Sequence, residues 1–593
     1  MKKSTGMRCD IKNLYQTKAD EDGDRDWTEN YPDYIEEPAE NSETLCYALL
    51  VRNRKSSDSH KKLTTDSIVV QSPILKRILG KVLKDYPGIT TGLGRLEFEA
   101  PFEPFVHRWE QLETARQAEQ DPEAKIHLDL LWSTLEHQLR DTLGRKADHV
   151  THGVITFKHI WTIFEPGCLV LMVDDGHERL LRFTGGGFDS SYDLECQYID
   201  WDGERFGLKN ETIEISEFKG TASIEGLRAV PLEHHQNKSK LEERLITRGK
   251  VFEANKGYHY KQYEGLGMDE KSIKYNIDSR IVIDTDSYNR FQPDGRMRLD
   301  WLDNQILTDD QLLMCSASFR GYSLKDKKWL KFWIDSVKDA VWNNRAFESL
   351  VLPSDQKELV LAFAESQAKH GHVFDDVVKG KGKGIIMLLS GPPGVGKTLT
   401  AECVAETMRV PLYMLSAGDL GTDPSVAEEK LSRILAMATR WQSVLLVDEA
   451  DVFLEARSTH DLERNKLVSI FLRILEYYEG FLFLTSNRVD NIDAAFESRI
   501  HLSLQYEELS HSSRYHVWKT FLGAPFSGAT SFTEENLQTL SDIPMNGRQI
   551  RNVIKTAQLL ASRKGVPLSF DNVKAVTNFR AANARNIPKC TCK

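Results

Sequence analysis

The sequence is short of several features that would direct its function elsewhere. Eight cysteines among 593 residues form no CxxC pair and no dense framework, which argues against a disulfide scaffold and a structural zinc cluster. Cys590 and Cys592 stand in the last four residues and read as a tail. With 37 glycines and 19 prolines the chain is neither collagen-like nor of low complexity. No apolar h-region opens it, and Lys2 stands where myristoylation requires glycine. Its longest apolar runs, such as residues 385–389 (IIMLL), fall far short of the ~18 residues a spanning helix needs. Positive charge is scarce as well: 77 Lys and Arg face 88 Asp and Glu, a net of −11. Residues 20–43 hold eleven of those acids beside the single Arg25, so the remainder is nearly neutral. Nothing in this balance supports neutralising a phosphate backbone, and no nucleic-acid partner is expected. The expectation is an intracellular chain, cytoplasmic or nuclear, with free thiols and no membrane partner.

What is there is the mix of a globular protein, 40% hydrophobic and 28% charged, long enough for roughly three to four domains. Residues 1–80 read as a mostly disordered acidic and polar tail with one strand candidate at 45–51 (LCYALLV). From 81 to 290 the pattern alternates. Leu128, Leu131, Leu135, Leu139 and Leu143 mark an amphipathic helix, and short β-rich runs follow between Gly and Asp clusters. This stretch reads as an α+β N-terminal domain that recognises a substrate or partner; its Gly185-Gly186-Gly187 reads as a hairpin. Residues 291–350 read as a linker with a helix, carrying Trp329, Trp333 and Trp342. Between 351 and 506, helix-like segments alternate with five apolar runs, which predicts a parallel sheet between helices. Residues 507–593 keep helical periodicity alone.

Gly391-Pro392-Pro393-Gly394-Val395-Gly396-Lys397-Thr398 fits GxxxxGK[ST] after a predicted strand, and Leu399 continues into a predicted helix. Glycines there let backbone N–H groups turn toward phosphate oxygens, and the helix N-terminus adds partial positive charge. Lys397 suits the β- and γ-phosphates, and the Thr398 hydroxyl suits Mg²⁺. The run Val444-Leu445-Leu446-Val447-Asp448-Glu449 buries a strand and leaves two acids at its carboxyl end, where α/β sheets bind ligands. Asp448 is assigned to the Mg²⁺ shell and Glu449 to the attacking water. Asn487, after the apolar run 481–484, is suited to position that water, although Thr-Ser-Asn alone is ordinary turn chemistry. Arg499 is a candidate to stabilise the leaving γ-phosphate from a neighbouring subunit, an effect of about 10³–10⁵ in rate. Cys403 reads as packing. His234, His235 and His501 lack partners at ligand spacing.

These residues resemble the AAA family of P-loop ATPases. Walker A falls at 391–398, Walker B at 444–449, the sensor-1 asparagine at Asn487 and the arginine finger at Arg499. Gly547-Arg548-Gln549-Ile550-Arg551-Asn552 is similar to the start of the family's lid helix, with Arg548 or Arg551 as a sensor-2-like contact. The phrases at 160–167 (IWTIFEPG), 342–347 (WNNRAF), 448–457 (DEADVFLEAR) and 462–480 resemble a fungal branch of AAA ATPases with an N-terminal domain of unknown function. The resemblance implies a five-stranded P-loop core with a C-terminal helical lid, ATP and Mg²⁺ as cofactors, and a hexameric homo-oligomeric ring. Two departures bear on mechanism. Residues 416–424 contain no aromatic side chain, against threading through a central pore, and Phe496 stands where relatives often carry a second arginine. The expected function is Mg²⁺-dependent ATP hydrolysis at subunit interfaces, remodelling an unidentified protein partner. The alternatives are a nucleotide-dependent scaffold with little turnover and a nucleic-acid remodelling ATPase.

Overall fold

The computed structural model describes residues 46–55, 63–292, 305–370, 384–421, 423–456, 462–488, 492–523 and 532–585, with short pieces at 15–16, 27–28, 295 and 297–303. Most of the acidic block and the cysteines at 590 and 592 lie outside the described residues. The chain divides into two units, one of residues 1–199, 208–245 and 313–315, the other of 200–207, 246–312 and 316–593.

In the first unit, β1 (Leu49–Lys55), β2 (Leu63–Val70) and β3 (Leu96–Glu99) pair antiparallel, and α1 (Pro73–Val82) follows β2 with Ser72 capping the Leu75 amide. The tail reading of 1–80 is therefore corrected for 49–55 and 63–80. Ile68, Val70, Leu75 and Leu79 are fully buried; their apolar surface offsets the ordering entropy that the polar composition around them would not. The leucine-spaced helix is α2 (Pro122–Thr151), burying Leu128, Leu131, Leu135 and Leu139. Next come β4 (Leu169–Asp174), β5 (His177–Phe188), β6 (Ser191–Trp201), β7 (Phe206–Ser216) and β8 (Ala229–Pro231), in sheet order β8-β4-β5-β6-β7. Gly185, Gly186 and Gly187 sit in the β5–β6 hairpin opposite Glu195, Leu194 and Asp193.

The second unit opens with a sheet that closes on itself. Strands β9 (Tyr258–Met268), β10 (Lys274–Asp284), β11 (Ser318–Ser323) and β12 (Lys328–Trp333) pair antiparallel in the cycle β9-β10-β11-β12-β9, and β13 (Val337–Asp339) adds to β9. This small barrel corrects the linker-helix reading. Trp329 and Trp333 are buried side chains of β12, because a spacing of four keeps residues on one face of a strand as well as of a helix.

The five apolar runs become β14 (Ile385–Ser390), β15 (Leu412–Ser416), β16 (Val444–Asp448), β17 (Phe481–Ser486) and β18 (Leu502–Gln505), all parallel, in order β15-β16-β17-β14-β18. Alternate side chains enter two different cores. Leu388, Leu445, Val447, Leu482 and Leu484 face one, while Met387, Leu389, Val444, Leu446 and Phe483 face the other. Burial on both faces explains why the inner strands β14, β16 and β17 read as continuous apolar runs, whereas the edge strands β15 and β18 alternate buried with more exposed residues. Helices α3 (Lys397–Met408), α4 (Pro424–Arg440) and α5 (Leu462–Leu475) connect them. Four further helices, α6 (His511–Leu522), α7 (Glu534–Ser541), α8 (Gly547–Arg563) and α9 (Phe570–Arg585), pack around Trp518, Leu537, Ile550 and Val573.

Barrel and parallel sheet share a polar and aromatic seam. Asp284 is 0% exposed; its Oδ2 accepts from Arg440 Nε at 3.0 Å and Trp441 Nε1 at 2.7 Å, and its Oδ1 from the Ser287 amide at 3.0 Å. The Tyr322 and Tyr413 hydroxyls meet at 2.9 Å.

Candidate active site

Because β17 lies between β14 and β16, the residues that follow these three strands meet at one edge of the sheet, the edge where parallel α/β folds place ligands. After β14 the backbone turns through Gly391 (φ 141°), Gly394 (80°) and Gly396 (115°). A Cβ on Gly391 would lie 2.3 Å from the Tyr506 carbonyl oxygen, and one on Gly394 2.8 Å from the Asn546 side chain; only glycine satisfies both the angle and the space. The lid is seated on this loop: the Asn546 side chain donates to Pro393 O at 3.2 Å and the Gly547 amide to Gly394 O at 2.9 Å. Val395 anchors the loop in the core, and Leu399 faces outward.

Lys397, the first residue of α3, is 7% exposed. Its Nζ donates to Gly391 O at 2.6 Å, Pro392 O at 2.9 Å and Asn487 Oδ1 at 2.9 Å. Burial holds this ammonium below the usual lysine range; Asp448, Asp451 and Glu449 oppose that shift, and the positive charge of Arg548 adds to it. Arg551 acts instead on Glu402 of α3, opposing the rise that burial gives that carboxyl.

Asp448 Oδ1 accepts from Thr398 Oγ1 at 3.2 Å and from Thr485 Oγ1 at 2.6 Å. Glu449 follows at φ 54°, a left-handed conformation that a non-glycine residue holds only when its surroundings enforce it. Its amide donates to Thr485 Oγ1 at 2.9 Å while its side chain is exposed. Asp451 Oδ1 accepts from Ser486 Oγ at 2.5 Å and from the Asn487 amide at 3.2 Å. The structure therefore gathers Lys397, Thr398, Asp448, Glu449 and Asn487, all singled out in sequence. It adds Thr485 and Asp451, which motif reading missed. For Thr485 the available signal was a hydroxyl closing an otherwise apolar buried strand.

Arg499 engages elsewhere within its chain: Nη1 donates to Ala495 O at 2.8 Å, and Nη2 lies 3.6 Å from the Glu476 carboxylate. Phe496 is fully buried beside Phe471. At 416–419, Ser416 and Asp419 form a capping box, and Lys327 of the barrel pairs with Asp419. Cys403 packs as expected, its Sγ directed to Ala346 O at 3.1 Å and its thiol pushed up to about 12 by burial. His501 Nδ1 accepts the Ile386 amide at 3.1 Å.

Thr398 and Asp448 offer a hydroxyl and a carboxylate side by side, a hard-oxygen pair of the kind Mg²⁺ accepts together with substrate phosphates. Among the described residues no group of three or more His, Cys, Asp or Glu could hold a metal by itself, and Mg²⁺ bound through phosphates needs none. Among the same residues no helix is long and apolar enough to cross a membrane.

Residues 387–507 match the model of the ATPase family associated with various cellular activities (AAA). The chain carries an AAA-family ATPase domain. Residues 145–236, which apart from 200–207 lie in the first unit, match a domain of unknown function, DUF7025. The chain is 29% identical to fidgetin-like protein 1 of Caenorhabditis elegans over 223 residues, which cover 35% of this chain and 36% of the relative. Spastin of Naegleria gruberi is 39% identical over 82 residues, 14% of this chain and 16% of the relative. The chain thus spans about a third or less of the length of these relatives. Against the crystal structure of the FIGL-1 AAA domain in complex with ADP, it shows 19% identity and a TM-score of 0.32 over 40% of this chain and 86% of that one.

Proposed function

We propose that the AAA domain is a Mg²⁺-dependent ATP hydrolase that drives remodelling of a protein partner. The observation that carries this reading is the convergence of Lys397, Thr398, Asp448, Glu449 and Asn487 at one sheet edge. The N–H groups of 391–398 and the Lys397 ammonium bind the phosphates of ATP, the substrate. Thr398 and Asp448 hold the Mg²⁺, which when bound neutralises charge on the phosphate oxygens. Glu449 takes the proton of a water that Asn487 orients. Arg548 is the lid residue assigned to the nucleotide, with Arg551 one turn further along α8 as the alternative. Arg499 of a neighbouring copy completes the site in a homo-oligomeric, hexameric ring. The first unit selects the partner, because the ATPase residues are generic and appended regions carry specificity. The fidgetin-like and spastin relatives support a remodelling role, and the phrases at 160–167 and 342–347 support placement in a fungal branch.

The test is Glu449→Gln in the full chain with Mg²⁺, across protein concentrations that span assembly. Binding of a fluorescent ATP analogue is retained while phosphate release falls about 10²-fold or more. Unchanged release removes Glu449 from its role. A wild-type chain that releases no phosphate overturns the hydrolase reading.

A further inference from the structure

We infer that Thr485 is a positioning residue that ties the metal-holding carboxylate of Asp448 to the peptide carrying Glu449, an inference that rests on the hydrolase reading above. Thr485 lies near the end of the central strand β17 and is 2% exposed, following the apolar residues Phe481 to Leu484. A threonine hydroxyl has one proton to give and lone pairs to receive, and here both are used on consecutive residues of the next strand. The proton goes to Asp448 Oδ1 at 2.6 Å, within the short range of a charge-assisted bond. The lone pair receives the Glu449 amide at 2.9 Å.

The backbone of the same residue continues the grip, since the Ala450 amide donates to Thr485 O at 2.8 Å. Residues 448, 449 and 450 are thereby registered against one side chain and one carbonyl. Glu449 needs such a hold, because φ 54° is a conformation that a non-glycine residue leaves when released. Fixing its amide fixes the peptide plane, and with it the direction in which the carboxylate leaves the backbone. Asp448 is aimed from two sides, by Thr485 from β17 and by Thr398 from α3 at 3.2 Å on the same oxygen. One hydroxyl thus couples the acid that holds the metal to the acid that takes the proton, while its methyl group fills the core.

Thr485→Val keeps the β-branched shape and removes the hydroxyl; Thr485→Ser keeps the hydroxyl and removes the methyl. Partners that orient a ligating carboxylate typically contribute about 10–100-fold in metal affinity or activity. In Thr485→Val, kcat falls about tenfold or more with KM for ATP within about threefold, and the Mg²⁺ concentration for half-maximal rate rises about tenfold. The gain in affinity for a fluorescent ATP analogue on replacing EDTA with Mg²⁺ shrinks by a similar factor. Thr485→Ser restores all three. Thermal unfolding in EDTA checks that each variant folds, and Thr485→Ala is read the same way should valine prevent folding. Wild-type kcat and Mg²⁺ dependence in a variant without the hydroxyl overturn the inference, as does a serine variant as impaired as the valine one. A wild-type chain without turnover overturns the hydrolase reading alone, and the Mg²⁺ gain in nucleotide binding still decides for or against Thr485.

Discussion

Buried polar side chains of the first unit close on one another. Arg179 forks onto Glu211 at 3.1 and 2.7 Å, and His107 sits between the Tyr86 hydroxyl at 2.8 Å and the Trp161 carbonyl at 3.0 Å. In the AAA core the polar groups instead line up along an edge, where Asp448, Glu449 and Asn487 follow the ends of β16 and β17, and Lys397 begins the helix beyond β14. The contrast follows from topology. The antiparallel strands and helices of the first unit supply these inward polar groups with nearby partners, which contributes stability. A parallel sheet sets several carboxyl ends side by side, so residues distant in sequence, Lys397, Asp448 and Asn487 among them, converge at one edge.

The sharpest way to separate the two regions is Glu449→Gln, with its loss of about 10²-fold or more in phosphate release. Because the Glu449 side chain is exposed, the denaturation midpoint should stay at its wild-type value; a large drop would mean that the edge, too, is built for stability. Asp284 probes the intermediate case, a fully buried carboxylate in the seam. Asp284→Ala leaves Trp441 Nε1 and the Ser287 amide without their acceptor while Arg440 keeps Asp286, and should cost about 1–3 kcal/mol for each donor left unpaired, read by chemical denaturation. A loss under about 1 kcal/mol would show the seam to be dispensable.

His107 gives the comparison a pH axis. Burial lowers its pKa to about 4, so the folded state favours the neutral ring, which accepts from Tyr86 at Nδ1 and donates to Trp161 from Nε2. An unfolded chain takes up the proton near the ordinary histidine value of about 6.5, while the folded one resists until about pH 4. Stability from this group is therefore complete above about 6.5 and lost as pH falls toward 4, amounting to about 3 kcal/mol at the acid end. Denaturation curves of wild type and His107→Gln at several pH values test this; equal acid slopes would refute it. The smallest effect is Tyr322→Phe, which removes one hydroxyl from the Tyr322–Tyr413 pair and should cost about 1 kcal/mol, read from the same denaturation midpoint.

Legibility in the sequence tracked distance along the chain. The phosphate loop could be read because its demands fall on eight consecutive residues, and the inner strands β14, β16 and β17 because burial on both faces leaves uninterrupted apolar runs. The barrel was misread where Trp329 and Trp333 satisfied strand and helix periods alike. Segments 49–55 and 63–80 were misread because composition averaged over their buried residues.

The sequence by itself determined the nucleotide loop, the Asp448-Glu449 pair and the alternation that makes a parallel sheet, since each is specified by neighbours in the chain. Only the tertiary structure decided which residues orient those acids. Thr485 meets Asp448 across 37 positions and Asp451 meets Ser486 across 35, and such pairs exist only once strand order has placed β17 beside β16. The same holds for the seating of α8 on the phosphate loop, where the Gly547 amide meets Gly394 O at 2.9 Å across 153 positions.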